Sequence, residues 1–167
     1  MDWYALFVTT GKEEYVIDWL DFFLHGYKFT TIIPKRKLFE RKAGKVNLVY
    51  KKMFPGYILL NTDMNTDVYH ICNKVPGLIR ILNSGEYYTR IPHEEMDCIQ
   101  GLLGEGEIID ISKIYIKDSK VVVKSGPLQG REGLIKAIDL RKQRVRIAIQ
   151  FMGFIREVDI GIEILSL

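Results

Sequence analysis

The residue types that perform chemistry are present in this chain but stand in the wrong company. Three histidines, His25, His70 and His93, are scattered. None has the helical partner or neighbouring cysteine pair that a metal-ligand motif requires. Cys72 and Cys98 are lone cysteines outside any CxxC pair, which argues against a disulfide framework. Cys72 falls on the apolar stripe of an expected helix, the place of a buried thiol rather than a nucleophile. Gly126-Pro127-Leu128-Gln129-Gly130 invites a phosphate-loop reading, but Gly130 is followed by Arg131-Glu132 instead of Lys-Ser/Thr. Gly101, Gly104 and Gly106 close a helix, whereas a dinucleotide loop must open one. Glu94-Glu95 sits where carboxylates favour a helix N-terminus through its dipole. No catalytic residue, metal ligand or cofactor is expected.

What remains is basic charge. The net charge of +3 is small but unevenly distributed. Residues 1–104 carry 13 Lys/Arg against 12 Asp/Glu, while residues 118–167 carry 9 against 6. Within the near-neutral front half, Lys35–Lys52 holds eight basic residues and one acid, Glu40. Local basic surfaces on a nearly neutral protein suit polyanion contacts. Lys42, Lys45, Lys51 and Lys52 are the candidates in the first segment. In the back half they are Lys124, Arg131, Lys136, Arg141, Lys142, Arg144 and Arg146, with Leu140 and Val145 able to face a core while alternation turns Arg144 and Arg146 outward. Such a patch suits a folded RNA hairpin, whose shape and phosphates are easier to read than its deep major groove. The competing reading for each segment is a solvated hairpin or barrel rim.

These residues need positioning elements. Trp3–Val8 alternates as a strand. Thr10 and Glu13 have capping-box spacing before a helix marked by Val16, Trp19, Leu20 and Phe23. Phe29–Ile33 is strand-like, and Leu38–Arg41 and Val46–Tyr50 flank Ala43-Gly44 as the arms of a hairpin. Phe54-Pro55-Gly56-Tyr57 is a turn into a strand over 57–61. Val68, Ile71, Cys72 and Val75 mark a second helix after Asn65-Thr66, Leu78–Leu82 another strand, and Pro92 opens a third helix with Met96, Ile99 and Leu103 inward. The order β-α-β-(hairpin)-β-α-β-α predicts an α+β sandwich close to the ferredoxin-like pattern. Residues 105–117 read as a linker or an extended leading strand. Short strands over 121–124, 134–140, 145–151, 156–158 and 162–165 then predict a small barrel of about five strands. The longest apolar runs are far short of the ~20 residues of a membrane span, and no leader precedes Trp3, so the cytoplasm is the expected location.

Several motifs carry a family likeness. They are Trp3-Tyr4, Gly11 before the first helix, Phe54-Pro55-Gly56-Tyr57, Val75-Pro76-Gly77, and Ile91-Pro92 with Glu95. Further on come Val121–Lys124, then Ser125-Gly126-Pro127-Leu128 and Gly133. In that order and spacing the chain resembles the NusG family of bacterial transcription elongation factors. The resemblance implies an N-terminal (NGN) domain over 1–104, a linker over 105–117 and a five-stranded, SH3-like KOW β-barrel over 118–167. It also implies a monomer that suppresses pausing or termination, with the NGN domain seated on the clamp helices of the RNA polymerase β′ subunit and within reach of the β subunit and the DNA. Tyr4, Phe54 and Tyr57 would line the aromatic pocket of that contact, as anchors of the kind that dominate interface energies.

Two departures qualify the likeness. The phenylalanine by which the general factor contacts ribosomal protein S10 corresponds to Ile162 here, which puts ribosome coupling in doubt. The turn Leu140-Arg141-Lys142-Gln143-Arg144-Val145-Arg146 is more basic than usual, and resembles specialised antiterminators such as the LoaP group, whose members engage leader RNA. A translation or ribosome-associated KOW protein is the alternative, and an enzyme on a ferredoxin-like fold a distant third.

Overall fold

A computed structural model describes residues 1–85 and 87–166. Its elements in chain order begin with β1 (Asp2–Val8), α1 (Glu13–Phe23), β2 (Phe29–Ile32), β3 (Lys35–Lys42), β4 (Lys45–Lys52), β5 (Tyr57–Thr62), α2 (Thr66–Asn73) and β6 (Leu78–Ile81). They continue with α3 (His93–Leu103), β7 (Ile108–Ile109), β8 (Ser112–Lys117), β9 (Lys120–Ser125), β10 (Ile135–Asp139), β11 (Arg144–Phe151) and β12 (Phe154–Ile164). Contacts divide the chain into two compact units, Met1–Ile33 with Phe54–Met96, and Pro34–Met53 with Asp97–Leu167.

The first unit carries the expected helix-on-sheet core, without the β3–β4 hairpin and most of α3, which belong to the second unit. Its four-stranded sheet has the order β2-β5-β1-β6 and is antiparallel throughout, the ferredoxin-like arrangement. Tyr4, Leu6 and Val8 of β1 and Ile58 and Leu60 of β5 enter one core with Val16, Leu20 and Leu24 of the first helical segment and Val68 and Cys72 of α2. Period-two strands and a 3.6-residue helix bring these faces together. Asn65 caps α2, its side-chain oxygen accepting from the Val68 N–H at 2.9 Å. The helix starts later than the capping box at Thr10 expects: α1 begins after Lys12, whose side chain makes no cap hydrogen bond. Glu13 Oε1 instead accepts from the Gly11 N–H at 2.7 Å.

The second unit carries the larger departures. Within segment 105–117, expected as a linker or a leading strand, residues 108–109 form β7 beside β3 and residues 112–117 form β8. Ser112 and Ile114 of β8 are buried in this unit. The barrel sheet has five strands in the order β10-β11-β12-β8-β9, with β12 parallel to β8 over Ile162–Ile164. The two strands expected over 156–158 and 162–165 are one eleven-residue strand, β12. Gly161, read as a turn signal, lies inside it, buried, where a Cβ would stand 2.5 Å from the Lys37 carbonyl oxygen. A strand glycine here marks close backbone approach rather than a bend. Gly126 serves similarly: at φ 103° a Cβ would lie 2.6 Å from Ser112 Cα, and Ser112 Oγ accepts from the Leu128 N–H at 3.0 Å. The Gly126-Pro127-Leu128 motif therefore closes the barrel onto β8.

Candidate nucleic-acid interface and partner surface

The basic hairpin and the basic barrel turn, far apart in sequence, lie side by side in the second unit. β3 and β4 pair from Lys35↔Lys52 to Lys42↔Lys45, closed by Ala43 (φ 53°) and Gly44 (φ 77°). Two consecutive positive φ values give the tight turn whose twist matches a hairpin. Leu38 is fully buried, and Arg36 Nη1 donates to the Asp159 carbonyl of β12 at 2.7 Å. Burial, reinforced by Arg144, lowers the Arg36 pKa below its ordinary value, while Asp159 opposes the shift.

Asp159 is the hub. Its carboxylate accepts from Arg146 Nε at 3.1 Å and lies 4.0 Å from Arg144 Nη1. Arg144 Nη2 donates to the Phe39 carbonyl at 3.4 Å and stands 4.0 Å from Glu40. Glu40 also accepts from Lys51 at 3.1 Å, and that bond holds its pKa below the usual carboxylate value. Lys37 bonds Asp110 at 3.1 Å. The Asp110 pKa is lowered as well, first by the Ile111 N–H and then by Lys37.

Around this network the surface is concave. A cleft of about 490 Å³ is lined by Phe39, Glu40, Arg41 and Val46 from the hairpin and by Arg141, Lys142, Gln143 and Arg144 from the turn between β10 and β11. A smaller one of about 260 Å³ shares Lys142 and Arg144 and includes Arg146 and Asp159. Cations crowded around few carboxylates bind anions by charge-assisted hydrogen bonds.

The expected nucleic-acid residues divide accordingly. Arg141 and Lys142 are exposed at the cleft, and Lys42 and Lys45 flank the hairpin turn in solvent. Arg144 is not an open outward-facing residue: its side chain is 18% exposed, because the hairpin covers it. Arg146 is half-exposed but tied to Asp159. Lys51 is held by Glu40, and Lys52 pairs with Lys35 at the open end of the hairpin. Arg131 donates to its own turn at the Pro127 carbonyl, 3.1 Å away. Lys124 and Lys136 are exposed on β9 and β10, at opposite edges of the sheet. Leu140 is exposed instead of facing the barrel interior, whereas Val145 is fully buried. The sequence reading overlooked Arg36, Phe39, Arg41, Gln143 and Asp159. Of the available signals, Gly161 within a β-branched run was the one that marked where another backbone comes close.

The aromatic residues of the first unit split between the two faces of its sheet. Tyr4 is 6% exposed in the helix-facing core and stands edge-on to Tyr88, with ring centroids 6.0 Å apart. Burial, with Asp2 adding to it, raises its phenol pKa. Tyr57 pairs with Phe7 across β1 and β5, their rings 5.4 Å apart, on the face opposite Tyr4. Phe54 is buried at the turn into β5, its carbonyl accepting from the Tyr57 N–H at 3.1 Å.

Among the described residues, no group of three or more His, Cys, Asp and Glu is placed to hold a metal ion. No helix there is long and apolar enough to cross a membrane. Residues 1–100 match the family model described as transcription termination factor NusG. The chain belongs to the NusG family. It is 27% identical to a transcription termination/antitermination protein NusG of Halalkalibacterium halodurans, over 97% of this chain and 94% of that protein. A protein of the same description from Thermus thermophilus is 26% identical over 92% of this chain and 91% of its own length. Among solved structures, one described as domain interaction in Thermotoga maritima NusG superposes with a TM-score of 0.62 at 25% identity, covering 96% of this chain and 93% of that one. The NusG likeness thus runs through both the sandwich and the barrel, the NGN-plus-KOW architecture expected from the motifs.

Proposed function

We propose that this chain is a transcription elongation and antitermination factor that binds RNA polymerase through its front domain and nucleic acid through its basic KOW half. The observation that carries the proposal is the family match over residues 1–100, joined to similarity along nearly the whole chain with termination/antitermination proteins. The polymerase surface is the part of the sandwich around Tyr57, docking the β′ clamp helices, with Phe54 buried beneath it at the turn into β5 and Tyr4 supporting the sheet from the opposite face. Aromatic anchors on a rigid sheet present large contact area with little entropy lost on binding. The concave basic surface of Arg41, Arg141 and Lys142 supports a leader-RNA contact. Such a factor works by binding and needs no catalytic group of its own.

The test is transcription across a terminator by purified polymerase, with and without the protein and a candidate leader, alongside pull-down of the clamp helices. Read-through with clamp binding is expected. Co-purification with ribosomes and no effect on polymerase would overturn the proposal in favour of a translation-associated KOW protein.

A further inference from the structure

We propose that the cleft between the hairpin and the β10–β11 turn receives one unpaired, extruded nucleotide of RNA. The inference rests on the nucleic-acid reading of the KOW half and adds to it: the hairpin, expected only to offer a basic surface to polyanions, becomes one wall of an RNA site.

A nucleotide has three chemical parts, and the cleft offers a counterpart to each. Its volume of about 490 Å³ lies in the range of small-molecule pockets. Phe39 and Val46 form an apolar wall, and Phe39, only partly buried, lines the cleft where a base would stack. Gln143 offers an amide donor and acceptor for a base edge. Its backbone is anchored in the left-handed region at φ 54°, with its carbonyl accepting from the Ile162 N–H at 3.0 Å. Glu40, kept ionised by Lys51, adds an acceptor for a base N–H. Arg41, Arg141 and Lys142 are exposed and serve the phosphates on either side. Arg144, held between the Phe39 carbonyl and Asp159, makes a fixed cationic wall.

Charge and shape select the source. A free mononucleotide brings its phosphates to one end, whereas these cations belong to two different elements, as a chain passing through the cleft would require. Paired bases keep their faces stacked and hidden, so the wall at Phe39 has a use only for a base turned out of its helix. Unpaired bases in loops and bulges are the features by which proteins recognise RNA sequence.

The experiment uses the full-length chain and four probes: an RNA stem-loop with one bulged nucleotide in its stem, the same stem fully paired, the bulged sequence as DNA, and guanosine monophosphate as a competitor. A 2-aminopurine at the bulge reports stacking by fluorescence. The bulged RNA is expected to bind roughly tenfold tighter than the paired stem, the scale of one stacked base, with the fluorescence changing on binding. Phe39→Ala and Gln143→Ala should each bring bulged-RNA affinity down to that of the paired stem measured with the same variant. Should Phe39→Ala unfold the hairpin, Gln143→Ala, on an exposed turn, decides alone. Equal affinity for bulged and paired RNA overturns the proposal while leaving the general RNA reading in place. Equal binding of the DNA bulge, or displacement of the bulged RNA by the mononucleotide, overturns it as well. No binding to any RNA would remove the RNA reading itself.

Discussion

Arg36 Nη1 donates to the main-chain carbonyl of Asp159 across 123 residues of sequence, at 2.7 Å. The same aspartate's carboxylate receives Arg146 at 3.1 Å. One residue of β12 thereby anchors a guanidinium of the hairpin and one of the barrel. Gly161, two residues on, lets the hairpin backbone come close. A Cβ at that position would press on the Lys37 carbonyl at 2.5 Å and approach Leu38 Cα at 3.4 Å, and neither backbone atom can turn aside. Gly161→Ala is expected to destabilise this unit by about 1–3 kcal/mol, the range for overpacking a tight interior. Chemical denaturation measures the loss, and hydrogen exchange should show the β3 amides opening first. Unchanged stability together with unchanged β3 protection would mean that the hairpin does not rest on Gly161.

The two tyrosines of the expected polymerase pocket should behave differently. Tyr4→Ala removes a core side chain and should cost about 3–5 kcal/mol of stability, so lost polymerase binding in that variant would report misfolding. Tyr57→Ala, on the opposite face, should weaken clamp-helix binding by about 2 kcal/mol or more if Tyr57 is a hot spot, with a smaller change in melting temperature. A clamp titration of Tyr57→Ala matching the unsubstituted chain would move the contact elsewhere.

Acid should loosen the hairpin. Glu40 and Asp110 both titrate below their ordinary values in the folded chain. A carboxylate depressed in this way adds stability that is fully present above its unfolded pKa, about 4, and is lost as pH falls through the depressed value. Hairpin amide protection should therefore hold at neutral pH and decline below about pH 4. Glu40→Gln should lessen that decline, and a variant that keeps its full acid response would exclude Glu40 as a source.

Thiol chemistry gives a cleaner contrast. Burial pushes the Cys72 thiol up to about 12. Cys98 is only partly buried, and although burial raises its pKa, Arg131 pulls the other way. Thiolate is the reactive form, so a mild alkylating reagent should modify Cys98 first, with Cys72 following only on unfolding. Peptide mass spectrometry reads the order, and early labelling of Cys72 would contradict its place in the core.

The sequence was most legible where local pattern and burial agree. The α1 stripe and the alternation in β1 needed only their own spacing to be placed. Segment 105–117 stayed open between linker and strand because its isoleucines show no clean period of their own, and only pairing with β9 and β12 makes Ser112–Lys117 a strand. Arg144 misled for a related reason. Alternation sets it opposite Val145, and nothing within β11 reveals that a hairpin a hundred residues upstream covers it. Hydrogen-bond partners distant in sequence, such as Arg36 and Asp159, show in the local sequence only through Gly161, two residues from Asp159.

That covering changes which cations can answer for RNA binding. Arg144 is largely shielded and bonded to Phe39, and Arg146 to Asp159. Removing either would disturb the hairpin as well as any phosphate contact, so a change in affinity would have two causes. Arg141 and Lys142 are exposed on the turn. The Lys142 main-chain N–H bonds Asp139 at 2.9 Å, a contact that survives loss of the side chain. If these two cations hold phosphates, each releases condensed counterions when RNA binds. Arg141→Ala and Lys142→Ala should then each flatten the slope of log K against log salt by roughly 0.7–0.9, with no change in melting temperature. Arg144→Ala should lower the melting temperature, and its salt slope should shift by less than that of either turn variant. Titrations of a structured leader RNA across a salt series, paired with thermal melts, separate the cases. If Arg141→Ala and Lys142→Ala leave both affinity and slope intact, the turn takes no part in RNA binding, and the antiterminator reading gives way to that of a general elongation factor.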